Sequence, residues 1–337
     1  MPRSLPRTEV YDSYWHFAAE RLAIYYRRLE NPIGPWTANK ILQEYRFTNT
    51  FRAADRVSQY LIREVQYGED RSQSAPEVFY RTMLFKLFNR IETWEAIERE
   101  LGHITWATTG AHRVSAILDR LLSKGRRIYS AAYIMPSPKF GHVRKHANHL
   151  SMLDTMMKDG LAARLEAVKD MEAAYKLLLS YPGLGPFLAF QYTVDLNYST
   201  LLNFDEDQFV VAGPGALDGI AKCFNARHVA EPSDVIQYMV ENQEEEFQRL
   251  GLRFKGLFGR RLKLIDCQNL FCEVSKYARV AHPDVDGASG RTRIKQRYRP
   301  VDSSEAVAPA FPPKWKLNPK VQIAKRPTQL SLLPSVY

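Results

Sequence analysis

The stretch Tyr181-Pro182-Gly183-Leu184-Gly185-Pro186-Phe187-Leu188-Ala189 separates two helix-forming segments, AAYKLLLS before it and FQYTVDLNY after it. Its glycines permit a tight reversal, and Pro186 suits the first turn of a helix, where its missing N–H would have no partner anyway. The whole reads as a helix-hairpin-helix over about residues 171–197. Near the start of the second helix, the N–H groups of Gly183 and Gly185 are unencumbered by side chains. They can approach a DNA phosphate closely and bind it with help from the helix dipole. Such contacts hold a DNA backbone without reading a base.

Helical periodicity extends outward in both directions. Tyr14, Phe17, Ala18, Leu22, Ile24 and Tyr25 recur at three- and four-residue steps until Asn31-Pro32 and Gly34-Pro35 end the pattern. Thr37 stands where an N-cap belongs before ANKILQEYRF, and a helix is expected over 51–65 with Ala54, Val57, Tyr60 and Leu61 inward. Further helices are expected over 76–90, 92–101, 114–123, 142–158, 161–180, 232–250 and 262–282, with another beginning at Pro214-Gly215-Ala216. The acidic run Asn242 to Glu246 reads as a solvated face. Strand-like runs, around Phe209-Val210-Val211 and 128–134, are too short to build a sheet. The fold class is therefore mainly α.

Beyond His282 the composition shifts to Pro, Gly, Ser and cations, which divides the chain into a helical region, 1–282, and a basic extended arm or tail, 283–337, without a core of its own. From Arg253 onward there are 17 Lys/Arg and 6 Asp/Glu, net +11, so the preceding residues carry 30 basic and 31 acidic groups, net −1. A basic segment on a neutral body suits phosphate neutralisation. Arg291, Arg293, Lys295, Arg297 and Arg299 alternate, so an extended arm would point them to one side along a nucleic-acid backbone.

Several chemistries find no support. No stretch approaches 18 uninterrupted apolar residues and the amino end lacks a secretory pattern, so a cytoplasmic protein with no membrane partner is expected. Cys223, Cys267 and Cys272 form no C-x-x-C pair and read as buried thiols. His142, His146 and His149 would share a helix face, but Arg144 and Lys145 disfavour a cation, and a phosphate-facing surface fits better than a metal site. No cofactor is called for. Gly213-Pro214-Gly215 lacks the Gly-Lys-Ser/Thr ending of a phosphate loop, which argues against a nucleotide kinase, and there is no G-x-S-x-G elbow.

After the hairpin comes Asn203-Phe204-Asp205-Glu206-Asp207-Gln208-Phe209. In the helix-hairpin-helix DNA glycosylases, which this arrangement resembles, a catalytic Asp follows the hairpin. Asp207, with Asp205 in reserve, is the candidate to stabilise a developing sugar cation or activate water. Pro186-Phe187 stands where lyase members of that superfamily place a nucleophilic Lys, so an amine-linked mechanism is not expected. Near the amino end, Arg52, Asp55, Arg56 and Gln59 would share one side of a helix, Arg52 and Arg56 pairing with Asp55 or binding an anion.

Four stretches, PWTANKILQEYRFTNTFRAADRVSQYLI, FYRTMLFKLFNRIETWE, YPGLGPFLAFQYTVDLNYS and FDEDQFVVAGPGALDGIAKCF, together resemble the alpha-glutamyl/putrescinyl thymine pyrophosphorylases, also described as the helical domain associated with hydroxymethyl-deoxyuridine DNA kinases. The resemblance implies an all-helical, glycosylase-like fold and double-stranded DNA with hypermodified pyrimidines as the partner. It carries over Arg46, Asn49, Arg52, Asp55 and Arg56 as base pocket and phosphate contacts, and Asp195, Asn197, Asp205 and Asp207 as the reaction end. Trp36, Tyr45 and Phe47 would stack on the base. The leading expectation is a glycosylase that excises a modified pyrimidine, plausibly in anti-phage defence. The alternatives are a transferase placing an amine on an activated 5-methyl group, and a non-catalytic DNA-binding module.

Overall fold

The structure, a computed structural model, describes residues 5–133, 135–224, 231–299 and 308–321. Helix α1 is Glu9–Glu30 and α2 is Lys40–Glu44. A 3-10 turn, Arg52–Ala54, leads into α3, Arg56–Tyr60, which runs on as a π-helical turn, Leu61–Gln66. Then come α4 (Ala75–Phe88), α5 (Ile91–Leu101), α6 (Trp106–Thr109), α7 (Ala111–Ser123), α8 (Lys145–Lys158), α9 (Leu161–Glu166) and α10 (Met171–Leu179). The last are α11 (Pro186–Tyr198), α12 (Pro214–Phe224), α13 (Pro232–Glu241), α14 (Gln243–Arg249) and α15 (Leu264–Ala281). Among the described residues there are two isolated β-bridges and no strand, so the molecule is mainly α.

Two apolar clusters form the interior, and α11 lies between them. Its Phe190, Val194 and Tyr198 join the cluster built on α1, α12, α13 and α15, while Leu188, Ala189, Tyr192 and Leu196 join that of α4, α5 and α7 to α10. Every residue from Leu188 to Tyr198 is buried. A helix enclosed on all sides is normally apolar throughout, so the polar residues on α11 stand out. Pro186 occupies its first turn, and Gly183, at φ 88°, supplies the left-handed step of the hairpin. Close packing of α12 on α15 depends on Gly219, where a Cβ would lie 2.1 Å from the Phe271 carbonyl oxygen.

Several expected helices are broken, each for a local reason. The segment 51–65 is not one helix: Asp55 adopts an extended conformation between the 3-10 turn and α3, and its carboxylate accepts the Asn49 N–H at 2.7 Å. Asp170 divides 161–180 by capping α10 through the Ala173 N–H at 2.8 Å. Asn242 separates α13 from α14, and Asn242, Gln243 and Glu246 are buried, so only part of the acidic run is solvated. Asn39 rather than Thr37 caps α2, accepting from the N–H groups of Ile41 and Leu42. Cys223 and Cys267 are buried and Cys272 half-buried.

The described part of the arm packs on the helical region and contributes to its core. Phe311 and Leu317 are buried in the α1/α15 cluster, and the Trp315 ring meets Tyr198 edge-on at 5.4 Å with the Arg260 guanidinium 3.8 Å above it. Aromatic and cation contacts of this kind add roughly 0.5–2 kcal/mol each beyond the area they cover. Nearer its start, the arm runs antiparallel to residues 44–46: Arg46 N–H donates to the Gln296 carbonyl and Tyr298 N–H to that of Glu44. Asp218, buried on α12, accepts from the Ser289 N–H and the Ser275 hydroxyl and so ties the arm to α12 and α15.

Candidate functional site

Three elements converge on Asp195, in the last turn of α11, and α15 joins them through Arg52 and Gln191. The Arg52 guanidinium reaches it from the 3-10 turn with two bonds, Nη1 to Oδ1 at 2.6 Å and Nη2 to Oδ2 at 2.9 Å, while its Nε donates to Gln191 Oε1 at 3.0 Å. Lys86 Nζ arrives from α4, 3.0 Å from Asp195 Oδ2 and 2.7 Å from Asn89 Oδ1. Gln66, in the π-helical turn, donates to the Asp195 carbonyl. From α15, Asp266 accepts the Arg52 backbone N–H at 3.0 Å, and Gln268 accepts from Gln191 at 3.3 Å and donates to Cys272 Sγ at 3.2 Å. Gln191 and Asp195 sit four residues apart on one face of α11.

The side-chain ion pairs converge on one group. Two cations face one carboxylate, and Arg52, Lys86 and Asp195 are 2%, 3% and 0% exposed. Burial works to raise the Asp195 carboxyl, but Arg52 and Lys86 outweigh it and hold the group below the usual carboxylate range. Burial holds the Lys86 ammonium below its ordinary value, with Asp195 only partly opposing. Two buried cationic side chains that share one carboxylate in a place poor in water favour an anion or a polar ligand group beside them.

An aromatic ring covers the cluster. Tyr133 lies 5.0 Å from Lys86 Nζ and 6.0 Å from Arg52 Cζ, and its ring is parallel to that of Phe187, 5.9 Å away at 8°. Burial pushes its hydroxyl up to about 12. Its φ of 55° is a left-handed conformation that a bulky residue adopts at a cost of roughly 1–3 kcal/mol, and such strain concentrates at binding sites. Gly213 lies flat against Phe187, where a Cβ would be 2.5 Å from the ring, and Gly215 packs on Cys272. Thus the Gly213-Pro214-Gly215 segment forms a wall beside the covered cluster.

The structure distributes the sequence candidates unevenly. Arg52 and Asp195 meet directly, although Arg52 does not pair with Asp55 as the helical spacing suggested. Asp55 and Asn49 shape the turn that aims Arg52 inward: Asn49 donates to the Ala54 carbonyl and accepts from Arg21, and burial pushes the Asp55 carboxyl up to about 7. Arg56 points outward to Glu92. Asn197 clamps the loop after α11 through both backbone groups of Phe204. Asp205 and Asp207 share Lys263, and Asp205 Oδ1 also accepts the Asp207 N–H.

Trp36, Tyr45 and Phe47 lie among other groups. Trp36 donates to the Asn31 carbonyl, Tyr45 stacks under Arg297, and Phe47 packs on Phe17 and Tyr277. Arg46 is exposed beside the arm, where Arg291, Arg293, Lys295 and Arg297 are exposed as well, so these five cations form one surface with the extended segment. Gly185 caps α11 with no side-chain bond at that helix start. His146 and His149 do not face phosphate: they are buried, bonded to Ser115 and to Tyr129 and Pro136, and burial brings His149 down to about 4.

Sequence reading missed Lys86, Tyr133, Gln191, Gln268 and Cys272 as neighbours of the site. A signal existed for two of them, since Lys86 interrupts the apolar run FYRTMLFKLF and Gln191 precedes Asp195 by one helical turn. A cleft of about 730 Å³ opens between α1, α2, residues 252–255 and Tyr277, and its lining includes none of the cluster residues. No helix among the described residues is long and apolar enough to cross a membrane.

Residues 8–287 match the family described as the helical domain of 5-hmdU DNA kinase. A 5-hmdU DNA kinase of Bacillus phage SP10 is 27% identical over 288 residues, covering 80% of this chain and 45% of that protein, so the chain spans a little under half of that relative's length. No solved structure matches the chain. These findings overturn the expectation of a base-excising glycosylase, because the named chemistry of the relative is phosphate transfer to a modified nucleotide of DNA and not cleavage of an N-glycosidic bond. The absence of a phosphate loop from this sequence is compatible with that relative. More than half of the relative lies outside the match.

Proposed function

The chain belongs to the 5-hmdU DNA kinase helical-domain family, and from that premise we propose that it engages DNA, receives a 5-hydroxymethylpyrimidine at the Arg52–Lys86–Asp195 cluster and serves phosphate transfer at the 5-hydroxymethyl group. The observation that carries this reading is the pair of buried cationic side chains sharing Asp195 beneath a planar aromatic cover. An extruded pyrimidine is a planar ring of similar thickness to Tyr133, and Phe187 offers it a stacking face. Extrusion costs a few kcal/mol, which stacking and phosphate contacts offset. Phosphate transfer to a hydroxyl leaves a dianion on the base, and two preorganised cations in a low-dielectric place favour that charge more than water does. Asp195, already ionised, positions both cations.

The hairpin at Gly183 and Gly185 holds the DNA backbone, and the surface of Arg46 with the arm tracks it further. Since the sequence has no Gly-Lys-Ser/Thr phosphate loop, the part of these residues is to hold DNA and acceptor base, the donor nucleotide being held outside them.

The test is an anisotropy titration against duplexes that differ at one position, carrying thymine, 5-hydroxymethyluracil or 5-phosphomethyluracil. A preference of about tenfold, roughly 1.4 kcal/mol, for the phosphorylated base is expected. Lys86→Met should remove that preference and leave thymine-duplex affinity unchanged. Exchanging Arg291, Arg293 and Lys295 for Gln should weaken all three duplexes alike and flatten the salt dependence. Equal wild-type affinity for the three duplexes would sink the proposal.

A further inference from the structure

Val143 is the most exposed large apolar side chain among the described residues, at 102% of its reference area. It directly precedes Arg144, the N-cap of α8. An apolar residue there ordinarily folds back on the residue four positions into the helix. That residue is Asn148, which is polar, 5% exposed and occupied otherwise. Its amide oxygen accepts from the N–H groups of Phe140 and His142, both at 3.1 Å, and its nitrogen donates to the carbonyls of His142 and Arg144 and to the Ser137 hydroxyl. Five bonds from one buried side chain fix the backbone of 137–144 and leave Val143 with nothing to fold onto, so it projects into solvent.

Two surroundings indicate what it meets. Lys139 and Arg144 are exposed on either side of it, and it stands at the positive end of α8. The same segment borders the hairpin, since a Cβ on Gly183 would meet Pro138 at 3.1 Å and Met135 at 3.5 Å. Val143 follows Pro138 by five residues, no more than about 17 Å of extended chain. A branched apolar tip on a rigid backbone, among cations and beside a phosphate-binding hairpin, is matched by one DNA feature, the stacked base step, which apolar side chains enter and part.

We propose that Val143 is a wedge that inserts into the base stack of the bound duplex and fills the space left by the extruded nucleotide. This rests on the reading above that DNA crosses the hairpin, but not on which base the cluster prefers. The side chain does not touch the reacting groups. It is a positioning residue, acting through the DNA.

The experiment uses the full chain and duplexes with 2-aminopurine next to thymine or 5-hydroxymethyluracil. At saturating wild-type protein, fluorescence rises as the neighbouring base unstacks. Val143→Ala should cut that rise by about threefold or more while anisotropy shows affinity changed by less than about threefold, and Val143→Leu should restore it. Because Val143 is fully exposed, the melting temperatures of both variants should match wild type, so a loss of signal is not a loss of fold. An undiminished rise with Val143→Ala, or no rise with wild type, would overturn the wedge. Val143-dependent unstacking without preference for any 5-substituent would remove the proposed base site and leave the wedge standing.

Discussion

Asp195 and Asp207 lie on either side of one short loop, Asp195 in α11 and Asp207 in the turn beyond it, yet the Asp195 side chain has no exposed surface while that of Asp207 keeps 25%. Asp195 is enclosed with Arg52, Lys86 and Gln191, whereas Asp207 and Asp205 share Lys263 at the margin. The difference teaches that an acidic residue's chemical weight follows from what is desolvated with it. Water screens the Lys263 pairs, which makes them worth little, whereas the buried pair interacts strongly and is dangerous to break.

The largest expected effect follows directly. Asp195→Ala would remove the one carboxylate that both buried cations bond with their side chains, and it should cost about 3–5 kcal/mol in a urea titration. A loss below about 1 kcal/mol would show that water reaches the cluster, and the contrast between the two carboxylates would disappear.

Titration sharpens the contrast next. The Asp195 carboxyl is held low, so its stabilisation is present above the unfolded value of about 3.9 and is lost as pH falls through the lower folded value. Asp266 behaves oppositely. Burial pushes it up to about 7, so the native state binds more protons than the unfolded state between about pH 4 and 7, and stability falls as pH rises through that window. Asp55, also near 7, has the same sign. Asp266→Asn should therefore reduce the decline of the urea midpoint over this range, and adding Asp55→Asn should reduce it further. An unchanged slope would place both groups in contact with solvent.

The helical class was legible because apolar periodicity is written along each helix, and the hairpin because Gly183 and Pro186 have few other uses. The meeting of Arg52 with Asp195 was not legible as geometry, since 143 residues separate them and the 3-10 turn that aims Arg52 depends on Asp55 leaving the helical conformation. Lys86 and Tyr133 were missed for a related reason. An isolated Lys in an apolar helix and a Tyr in an irregular segment acquire meaning only when the chain brings them over a distant carboxylate.

Tyr133 provides a smaller effect that still bears on the cluster. At φ 55° a glycine is unstrained and an alanine is not. Tyr133→Gly should thus be more stable than Tyr133→Ala by about 1 kcal/mol, although both remove the ring. Both should also bind the 5-phosphomethyluracil duplex more tightly than wild type if the ring occupies the place of the base. Weaker binding by both would mean that the ring stacks on the base instead of yielding to it.

The smallest effect is expected where the sequence first pointed. Asp207→Asn removes one of two carboxylates on Lys263 and leaves Asp205, 3.3 Å from the same ammonium, in place. A half-buried pair in reach of water contributes roughly 1 kcal/mol, and part of that is retained by the remaining partner, so the urea midpoint should move little. Preference among the three duplexes should be unchanged, because Asp207 itself makes no bond to Arg52, Lys86, Gln191 or Asp195, and Lys263 meets the cluster only through its backbone N–H on Asp266. A variant that folds normally but loses the preference would assign the chemistry to this loop. Asp195 would then be a structural anchor that holds Arg52 and Lys86 apart, and the marginal carboxylate would be the one that meets the DNA.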